Sequence, residues 1–223
     1  MVGLVVLDVG NTMGRFSTPS AADVLVPLSP MPPEVVHEEV RRVLHRAPAL
    51  TDDVVNDICE SLLISPWDWP TPWPDSRFTV FDYTVPVLRE LVKLAPVVTL
   101  SNIAVTCGPQ RMHDLHRQCG ELIREIYTSH KMGYRKPASW LWRYIADENG
   151  VHVRDAVHVG DLWHNDICGA IAAGARAILV TGTRDEPRVV PPQNEWPAGP
   201  DRIAIVDDLR GVPDVIARWH NAA

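Results

Sequence analysis

The stretch "LVVLDVGNTMG", residues 4–14, decides the fold, because it joins a short apolar run to a tight turn through one acidic residue. The run Leu4–Leu7 lacks alternation between apolar and polar positions, which is typical of a strand buried on both faces of a parallel sheet. Asp8 ends the run, and a buried carboxylate is costly unless it is paired or bound to a metal. The stretch therefore predicts a first strand with a candidate site at its carboxyl end.

Similar apolar runs recur further along the chain, and helical patterns lie between them. Alternating strands and helices predict an α/β fold with a doubly wound, Rossmann-like, mainly parallel sheet. The proline-rich segment 184–201 before the last run is predicted to be a surface loop. The later runs are Val97–Leu100, Glu125–Thr128, Ala156–Val159, Ala177–Val180 and Ile203–Val206.

The segment between the first two strands, residues 14–79, is too long to be a structureless loop in a compact domain. Pro33 is placed to begin a helix, with apolar residues following at helical spacing. Thr51 is a suitable N-cap for a second helix. We therefore expect a helical cap subdomain at 14–79 and a core domain made of 1–13 and 80–223.

The composition narrows the classes of partner. The chain has 223 residues and a net charge of −7, and this acidic balance argues against a nucleic-acid binder. No apolar run approaches the length needed to span a membrane. The cysteines are scattered and form no CxxC pair, which indicates reduced thiols. We expect a cytoplasmic protein that acts on a small molecule, with no nucleic-acid or membrane partner; protein partners are not predicted.

Polar residues follow several of the apolar runs at the point where each strand is predicted to end. The carboxyl ends of parallel strands meet at one edge of the sheet, which is where ligands bind in this class of fold. The residues are Asp8 after the first run, Ser101 and Asn102 after the second, Lys136 after the third, and Asp161 and Asp166 after the fourth.

This set of side chains predicts a particular chemistry. Clustered carboxylates repel one another unless a cation lies between them, and oxygen ligands without histidine or cysteine favour Mg²⁺. A hydroxyl and an ammonium group, from Ser101 and Lys136, suit the oxygens of a phosphate. A carboxylate such as Asp8 can then attack the phosphorus and form an acyl-phosphate. The sequence therefore predicts phosphoryl transfer to an aspartate, followed by hydrolysis.

The motifs resemble those of the haloacid dehalogenase (HAD) superfamily, and four of them occur in order. "LDVGNT" (7–12) is similar to the first motif and "VVTLSN" (97–102) to the second. "SHKMGYRKP" (129–137) is similar to the third, and "VHVGDLWHNDICGAIAAGA" (157–175) to the fourth. The helical insertion matches the position of the family's C1 cap. The resemblance implies a Mg²⁺-dependent hydrolase of the phosphatase-like branch, with a lid that selects the substrate.

The resemblance also implies a role for each matching residue. Asp8 would be the nucleophile and a Mg²⁺ ligand, assisted by the backbone carbonyl of Gly10 and by Asp161. Asp166 would lie nearby, as a ligand through water or as a neighbouring acid. The catalytic set would be Asp8, Ser101 and Lys136. The residues implied to bind the phosphate are Asn11, Thr12, Ser101, Asn102 and Lys136.

Gly10 departs from the family pattern, because phosphatases of this type usually have there an aspartate that protonates the leaving oxygen. Three interpretations follow: a phosphatase with another proton source, a haloacid dehalogenase-type enzyme, or a non-catalytic phosphate-binding or interaction module. Dehalogenases of the family need no metal and lack the Gly160-Asp161 pair, so the phosphatase is favoured. Phosphonate-cleaving members use a lysine in the cap, whereas residues 14–80 contain no lysine.

Overall fold

The computed structural model describes residues 1–17, 19–183 and 190–221. Its main sheet has six parallel strands in the order β5-β4-β1-β6-β7-β8, which confirms the predicted doubly wound α/β fold. Each predicted run is a strand, with bounds that differ by at most a residue at either end. These strands are β1 Leu4–Leu7, β4 Val97–Ser101, β5 Ile126–Thr128, β6 Ala156–Gly160, β7 Arg176–Val180 and β8 Ile203–Val206.

Helices cover both faces of this sheet, which explains why its strands are apolar without alternation. On β1, Val5 and Leu7 belong to one buried cluster and Leu4 and Val6 to another on the opposite face. β1 pairs with β4 on one side and with β6 on the other, so Asp8 emerges at the centre of the sheet. The helices that flank the sheet are α4 Thr84–Leu94, α5 Gly108–Cys119, α6 Ser129–Met132, α7 Trp140–Glu148, α8 Gly169–Ala173 and α9 Val212–Asn221.

The segment predicted as a cap contains three helices, α1 Ala21–Leu25, α2 Pro33–Arg42 and α3 Asp52–Leu62. Proline begins α2 as predicted, and the Thr51 hydroxyl accepts a hydrogen bond from the Val54 N–H at the start of α3. Apolar residues of these helices, among them Val36 and Ile58, belong to the same buried cluster as Val5 and Leu7. The insertion is therefore packed on the core and not held at a distance from it.

A second, two-stranded sheet lies where the chain enters and leaves this insertion. β2 (Gly14–Phe16) pairs with β3 (Phe78–Val80) in antiparallel fashion, a pairing that the sequence did not predict. Asp114 on α5 accepts hydrogen bonds from the Arg77 guanidinium and from the Phe78 N–H, at 3.0 and 3.1 Å. A buried carboxylate thus ties the exit of the insertion to the core.

The proline-rich segment before β8 is described only in part. Residues 184–189 of the predicted surface loop lie outside the described residues, and the remainder contains only a short 3₁₀ turn at Gln193–Glu195. In the part of the chain that the structure describes, no helix is both long and apolar enough to cross a membrane.

Candidate active site

Asp8 lies immediately after β1, and the main chain fixes its position. Its backbone N–H donates to the Val159 carbonyl at 2.8 Å, which extends the pairing of β1 with β6. The turn that follows places Asn11 in the left-handed region at φ 58°, and the Asn11 N–H donates to the Gly14 carbonyl at 2.8 Å. The Thr12 hydroxyl donates to Asp8 Oδ2 at 3.3 Å. The carboxylate is therefore held at the end of the central strand, with 7% of the residue exposed.

Lys136 links Asp8 to the fourth motif. Its Nζ lies 2.6 Å from Asp8 Oδ1 and 2.6 Å from Asp166 Oδ1, and the lysine is 2% exposed. The Asn102 side chain holds the backbone of Lys136 from both sides: Oδ1 accepts from the Lys136 N–H at 2.8 Å, and Nδ2 donates to its carbonyl at 3.0 Å. Burial disfavours the ammonium, but the two carboxylates outweigh that effect and raise the pKa of Lys136. Lys136 is therefore a fixed positive charge.

Asp166 is fully buried within a one-turn π-helix, Trp163–Cys168. Its Oδ2 accepts from the Leu162 N–H at 2.8 Å, and its carboxyl group fills the space that a side chain at Gly160 would need. Burial opposes its ionisation, but Lys136 and His158 together outweigh burial and lower the pKa of Asp166. Asp166 is therefore an ionised, immobile partner of Lys136.

His158 is a member of the site that the sequence analysis missed. It lies in the middle of β6, fully buried, and its Nε2 is 3.1 Å from Asp166 Oδ1. Burial lowers the pKa of His158, so the imidazole is neutral and donates from Nε2 to the ionised carboxylate. The Trp142 ring packs edge-on against it at 5.2 Å. The signal in the sequence was one polar residue inside the otherwise apolar run "AVHVG", just before the fourth motif.

Three carboxylates converge at this edge of the sheet. Asp8, Asp161 and Asp166 each offer an oxygen, and these oxygens all lie within 4.8 Å of one another. Burial and then repulsion from Asp166 and Asp161 raise the pKa of Asp8 to about 7, although Lys136 acts in the opposite direction. Clustered carboxylates repel one another, and an all-oxygen donor set of this kind suits a hard divalent cation. The residues present therefore fit Mg²⁺.

The remaining predicted phosphate ligands lie around the same edge. Ser101 ends β4 beside β1 and is buried. The Thr12 hydroxyl donates to Asp8, and the Asn102 side chain bonds to the backbone of Lys136, so both also hold other members of the site in place. The carbonyl of Asn11 accepts a hydrogen bond from the Thr183 hydroxyl.

Gly10 lies against an aromatic ring. A Cβ placed on Gly10 would lie 2.7 Å from Phe16 Cε2, well inside contact distance. The ring is itself packed against Phe78, with centroids 5.2 Å apart, and against the guanidinium of Arg111, 4.0 Å from the ring centroid. The space that an acid at position 10 would occupy is thus filled by Phe16. The sequence analysis did not find this contact, because it depends on the pairing of β2 with β3.

Comparison with known proteins gives the fold, together with a family match over part of the chain. Residues 133–212 match a family model described as HAD-hydrolase-like. A 2-haloacid dehalogenase from Pseudomonas syringae pv. Tomato aligns over 98% of this chain and 100% of its own, with 22% identity and a TM-score of 0.62. This chain has the HAD fold. The family match covers residues 133–137 of the third motif and the whole of the fourth, which confirms the resemblance there.

Other solved structures of this fold carry different activities. A HAD phosphatase from Thermococcus onnurineus aligns over 97% of this chain and 98% of its own, with 14% identity and a TM-score of 0.58. A haloacid dehalogenase-like family hydrolase from Xanthomonas campestris aligns over 99% and 93%, with 15% identity and a TM-score of 0.61. No curated protein matches the chain in sequence. The likeness therefore does not distinguish a phosphatase from a dehalogenase.

The ion pairs of Lys136 predict a large stability effect. Replacing Lys136→Met leaves Asp8 and Asp166 buried without their cation, and breaking a buried pair in this way costs about 3–5 kcal/mol. We expect the free energy of unfolding, measured by urea denaturation in metal-free buffer, to fall by that amount. Lys93→Met, which changes an exposed lysine in the last turn of α4, is the matched control. Equal effects of the two substitutions would contradict the arrangement described.

Proposed function

We propose that this chain is a Mg²⁺-dependent phosphatase that hydrolyses a small phosphorylated molecule through an aspartyl-phosphate on Asp8. The observation that carries the proposal is the convergence of Asp8, Asp161 and Asp166, whose oxygens lie within 4.8 Å of one another. A dehalogenase of the family needs no metal, and its fourth motif lacks the acid that stands here at Asp161. The donor set therefore favours phosphoryl chemistry.

The proposed reaction has two steps. An oxygen of the Asp8 carboxylate attacks the phosphorus, the bond to the leaving oxygen breaks, and the leaving group departs with the bonding electrons. Water then attacks the phosphorus of the aspartyl-phosphate, which releases phosphate and returns the carboxylate of Asp8. Lys136 and the Ser101 hydroxyl hold the oxygens of the transferred group. Asp8, Asp161 and the carbonyl of Gly10 would hold Mg²⁺, with Asp166 near it, and the bound ion would neutralise negative charge on the transferred group.

The surroundings keep these groups in place during the reaction. Asn102 fixes the backbone of Lys136, and His158 fixes the carboxylate of Asp166. His158 acts on the site through Asp166, so it is a positioning residue, whereas Asn102 holds Lys136 and stays a predicted phosphate ligand. Small displacements of reacting groups can lower the reaction rate by large factors. Groups held at the ends of strands are displaced less than groups on long loops.

We further propose that residues 14–79 act as a cap over the site. The Val105 N–H, in the loop after β4, donates to the Leu44 carbonyl at 2.8 Å, so the insertion lies against a loop that follows a catalytic strand. A cap in this position would exclude water from the aspartyl-phosphate and select the substrate.

The leaving group must find its proton elsewhere than at position 10. Phe16 lies where the usual acid would project from Gly10, so a general acid at this position is blocked as well as missing. General acid catalysis typically contributes about 10²–10⁴-fold to the rate. Acyl and aryl phosphates need it least, because their leaving groups are stable as anions. We therefore propose that the substrate belongs to one of these classes.

A haloacid dehalogenase is the second candidate, and Phe16 is the observation that favours it. Dehalogenases of the family usually have a bulky aromatic residue two positions after the nucleophile, and here a ring from β2 reaches that place. The similar fold of the Pseudomonas syringae enzyme is compatible with this reading. Asp161 has no role in that chemistry, so we rank it second.

Mg²⁺ should bind this site and support phosphate release. At a concentration about a hundredfold above its Kd, a ligand stabilises the folded state by about 2.7 kcal/mol, which for a domain of this size is a rise in Tm of several degrees. We expect that rise, together with release of phosphate from a metabolite panel, only when Mg²⁺ is present. Asp8→Asn should abolish release, and Asp161→Asn should reduce both signals.

The matched control for the metal site is Asp75→Asn, in an exposed segment. It should leave both the Mg²⁺ shift and the phosphate release as they are in the natural chain. Release of halide from haloacids in the presence of a chelator would overturn the phosphatase in favour of the dehalogenase. No release of either product would favour a non-catalytic module.

The blocked acid position predicts a steep dependence on the leaving group. For the natural chain, kcat/KM should be about 10²–10⁴-fold higher for acyl and aryl phosphates than for alkyl phosphates. Gly10→Asp alone should not narrow this gap, because Phe16 occupies the space. Gly10→Asp combined with Phe16→Ala should narrow it, whereas Phe16→Ala alone should not. Alkyl phosphates that react as fast as aryl phosphates in the natural chain would refute the account of Gly10.

A further inference from the structure

A group of basic side chains lies where the insertion meets the loops that follow β4 and β5. We name it the basic cluster and define it as His45, Arg111, His130 and Arg135. His45 follows α2, Arg111 is on α5, His130 is on α6, and Arg135 directly precedes Lys136. Burial, helped by the positive charges of Arg135, Arg41, His130 and Arg111, lowers the pKa of His45 to about 3. The main chain on either side of His45 contacts the same loops: the Leu44 carbonyl accepts from the Val105 N–H at 2.8 Å, and the Arg46 carbonyl lies 4.0 Å from the position of a Cβ on Gly133, two residues before Arg135.

The basic cluster shares its supporting loops with the proposed catalytic site. Ser129 Oγ accepts from the Ile103 N–H at 3.0 Å and donates to the Ile103 carbonyl at 3.2 Å, which joins the loop after β4 to the start of α6. His130 is the next residue on α6. Its Nε2 lies 2.9 Å from the position of a Cβ on Gly108, at the start of α5. The cluster thus lies beside the end of β4, which carries Ser101, and the loop after α6, which carries Lys136.

Several polar atoms of the basic cluster are buried without a hydrogen-bond partner. They are both ring nitrogens of His130, Nδ1 of His45 and Nε of Arg135. His130 is only 3% exposed, so bulk water does not satisfy it. Buried polar groups in folded proteins are nearly always hydrogen-bonded, and unpaired N–H groups in several adjacent side chains call for an acceptor from outside the chain.

The charge of the basic cluster is also unbalanced. Across the described residues, neither Arg111 nor Arg135 forms an ion pair with a carboxylate. Arg111 donates instead to the neutral oxygens of Ser76 and Pro19, at 2.5 and 3.2 Å. Glu38 is the carboxylate whose charge reaches Arg135, and it is itself 3.4 Å from the guanidinium of Arg41. Donors with excess positive charge favour an anion as the missing acceptor.

The same ring that covers Gly10 connects the basic cluster to the nucleophile loop. One part of Phe16 lies against Gly10, and its face carries the Arg111 guanidinium 4.0 Å from the ring centroid. The Arg111 guanidinium is therefore separated from Gly10, two residues after Asp8, by one aromatic ring.

We propose that the basic cluster is a second anion site, in which His45, His130 and Arg135 bind a carboxylate or phosphate group at the far end of the substrate. The proposal rests on the proposed phosphatase function, because the first anion is the phosphate at Asp8. Arg135 would contribute charge, and the imidazoles would donate N–H groups. The substrate class is then a phosphorylated molecule that carries a second anionic group.

The test measures binding and not turnover, so it does not depend on a known substrate. The probes are ω-phosphonocarboxylates of graded linker length and the matching ω-phosphonoamides, titrated calorimetrically with Mg²⁺ present. Phosphonates cannot lose their phosphoryl group by this chemistry, and each pair differs only in the distal charge. A bisphosphonate series distinguishes a distal phosphate from a distal carboxylate. At the best linker length, we expect an acid to bind about tenfold or more tightly than its neutral partner.

Variants test whether the basic cluster causes the preference for acids over amides. Arg135→Met should reduce the ratio of affinities to near one, His45→Leu should lower it, and Arg135→Lys should retain part of it. Arg89→Met, on the exposed face of α4, is the matched control and should keep the full ratio. Because Arg135 and His45 are only half-buried, both variants are expected to fold, which circular dichroism checks.

Two results would overturn the inference while leaving the phosphatase intact. One is equal binding of acids and amides at every linker length, with simple phosphonates still bound at the Mg²⁺ site. The other is a preference for acids that survives both Arg135→Met and His45→Leu. Failure of all phosphonates to bind, in the natural chain and in the control, would overturn the proposed function and this inference together.

Discussion

The site depends on two buried ion pairs made by Lys136. Its Nζ lies 2.6 Å from a carboxylate oxygen of Asp8 and 2.6 Å from one of Asp166. Removing these charges from water is expensive, and their mutual attraction offsets that cost only when the geometry is held firmly. The structure holds it through Asn102 on the backbone of Lys136 and His158 on the carboxylate of Asp166. The ends of β1, β4 and β6 are thereby joined through one ammonium.

Acidic side chains lie on one side of this contact and basic side chains on the other. On one side, oxygens of Asp8, Asp161 and Asp166 converge, which is the basis for proposing a divalent cation there. On the other side, the basic cluster has donors without acceptors, which is the basis for proposing a second anion site. A substrate that carries a phosphate and a second anion would complement both. The loops that carry Asn102 and Lys136 form the boundary between the two regions.

The sequence predicted the strands and their polar ends well, because both follow from local pattern. Six apolar runs match six strands, and Asp8, Lys136 and Asp166 meet as the strand-end argument required. Contacts between distant segments were not predictable in this way. The β2–β3 pair consists of two three-residue strands without a periodic signal. Without that pair, the position of Phe16 over Gly10 could not be derived.

His158 and the basic cluster were missed for a related reason. A single polar residue in an apolar strand does not reveal which way it points or what it meets, and His158 is explained only by the position of Asp166. The members of the basic cluster come from four separate parts of the chain, so no spacing in the sequence joins them. The motifs predicted which residues lie at the site, whereas tertiary contacts define how those residues are held.

The most direct test of the account is oxygen exchange between inorganic phosphate and water enriched in heavy oxygen, because it needs no known substrate. If Asp8 forms an aspartyl-phosphate, its carboxylate displaces water from bound phosphate, and the reverse step returns labelled oxygen to the phosphate. We predict exchange that requires Mg²⁺, is lost in Asp8→Asn and leaves the carboxylate of Asp8 unlabelled. Absence of exchange in the natural chain, or label appearing in Asp8 after exposure to a haloacid, would contradict the account.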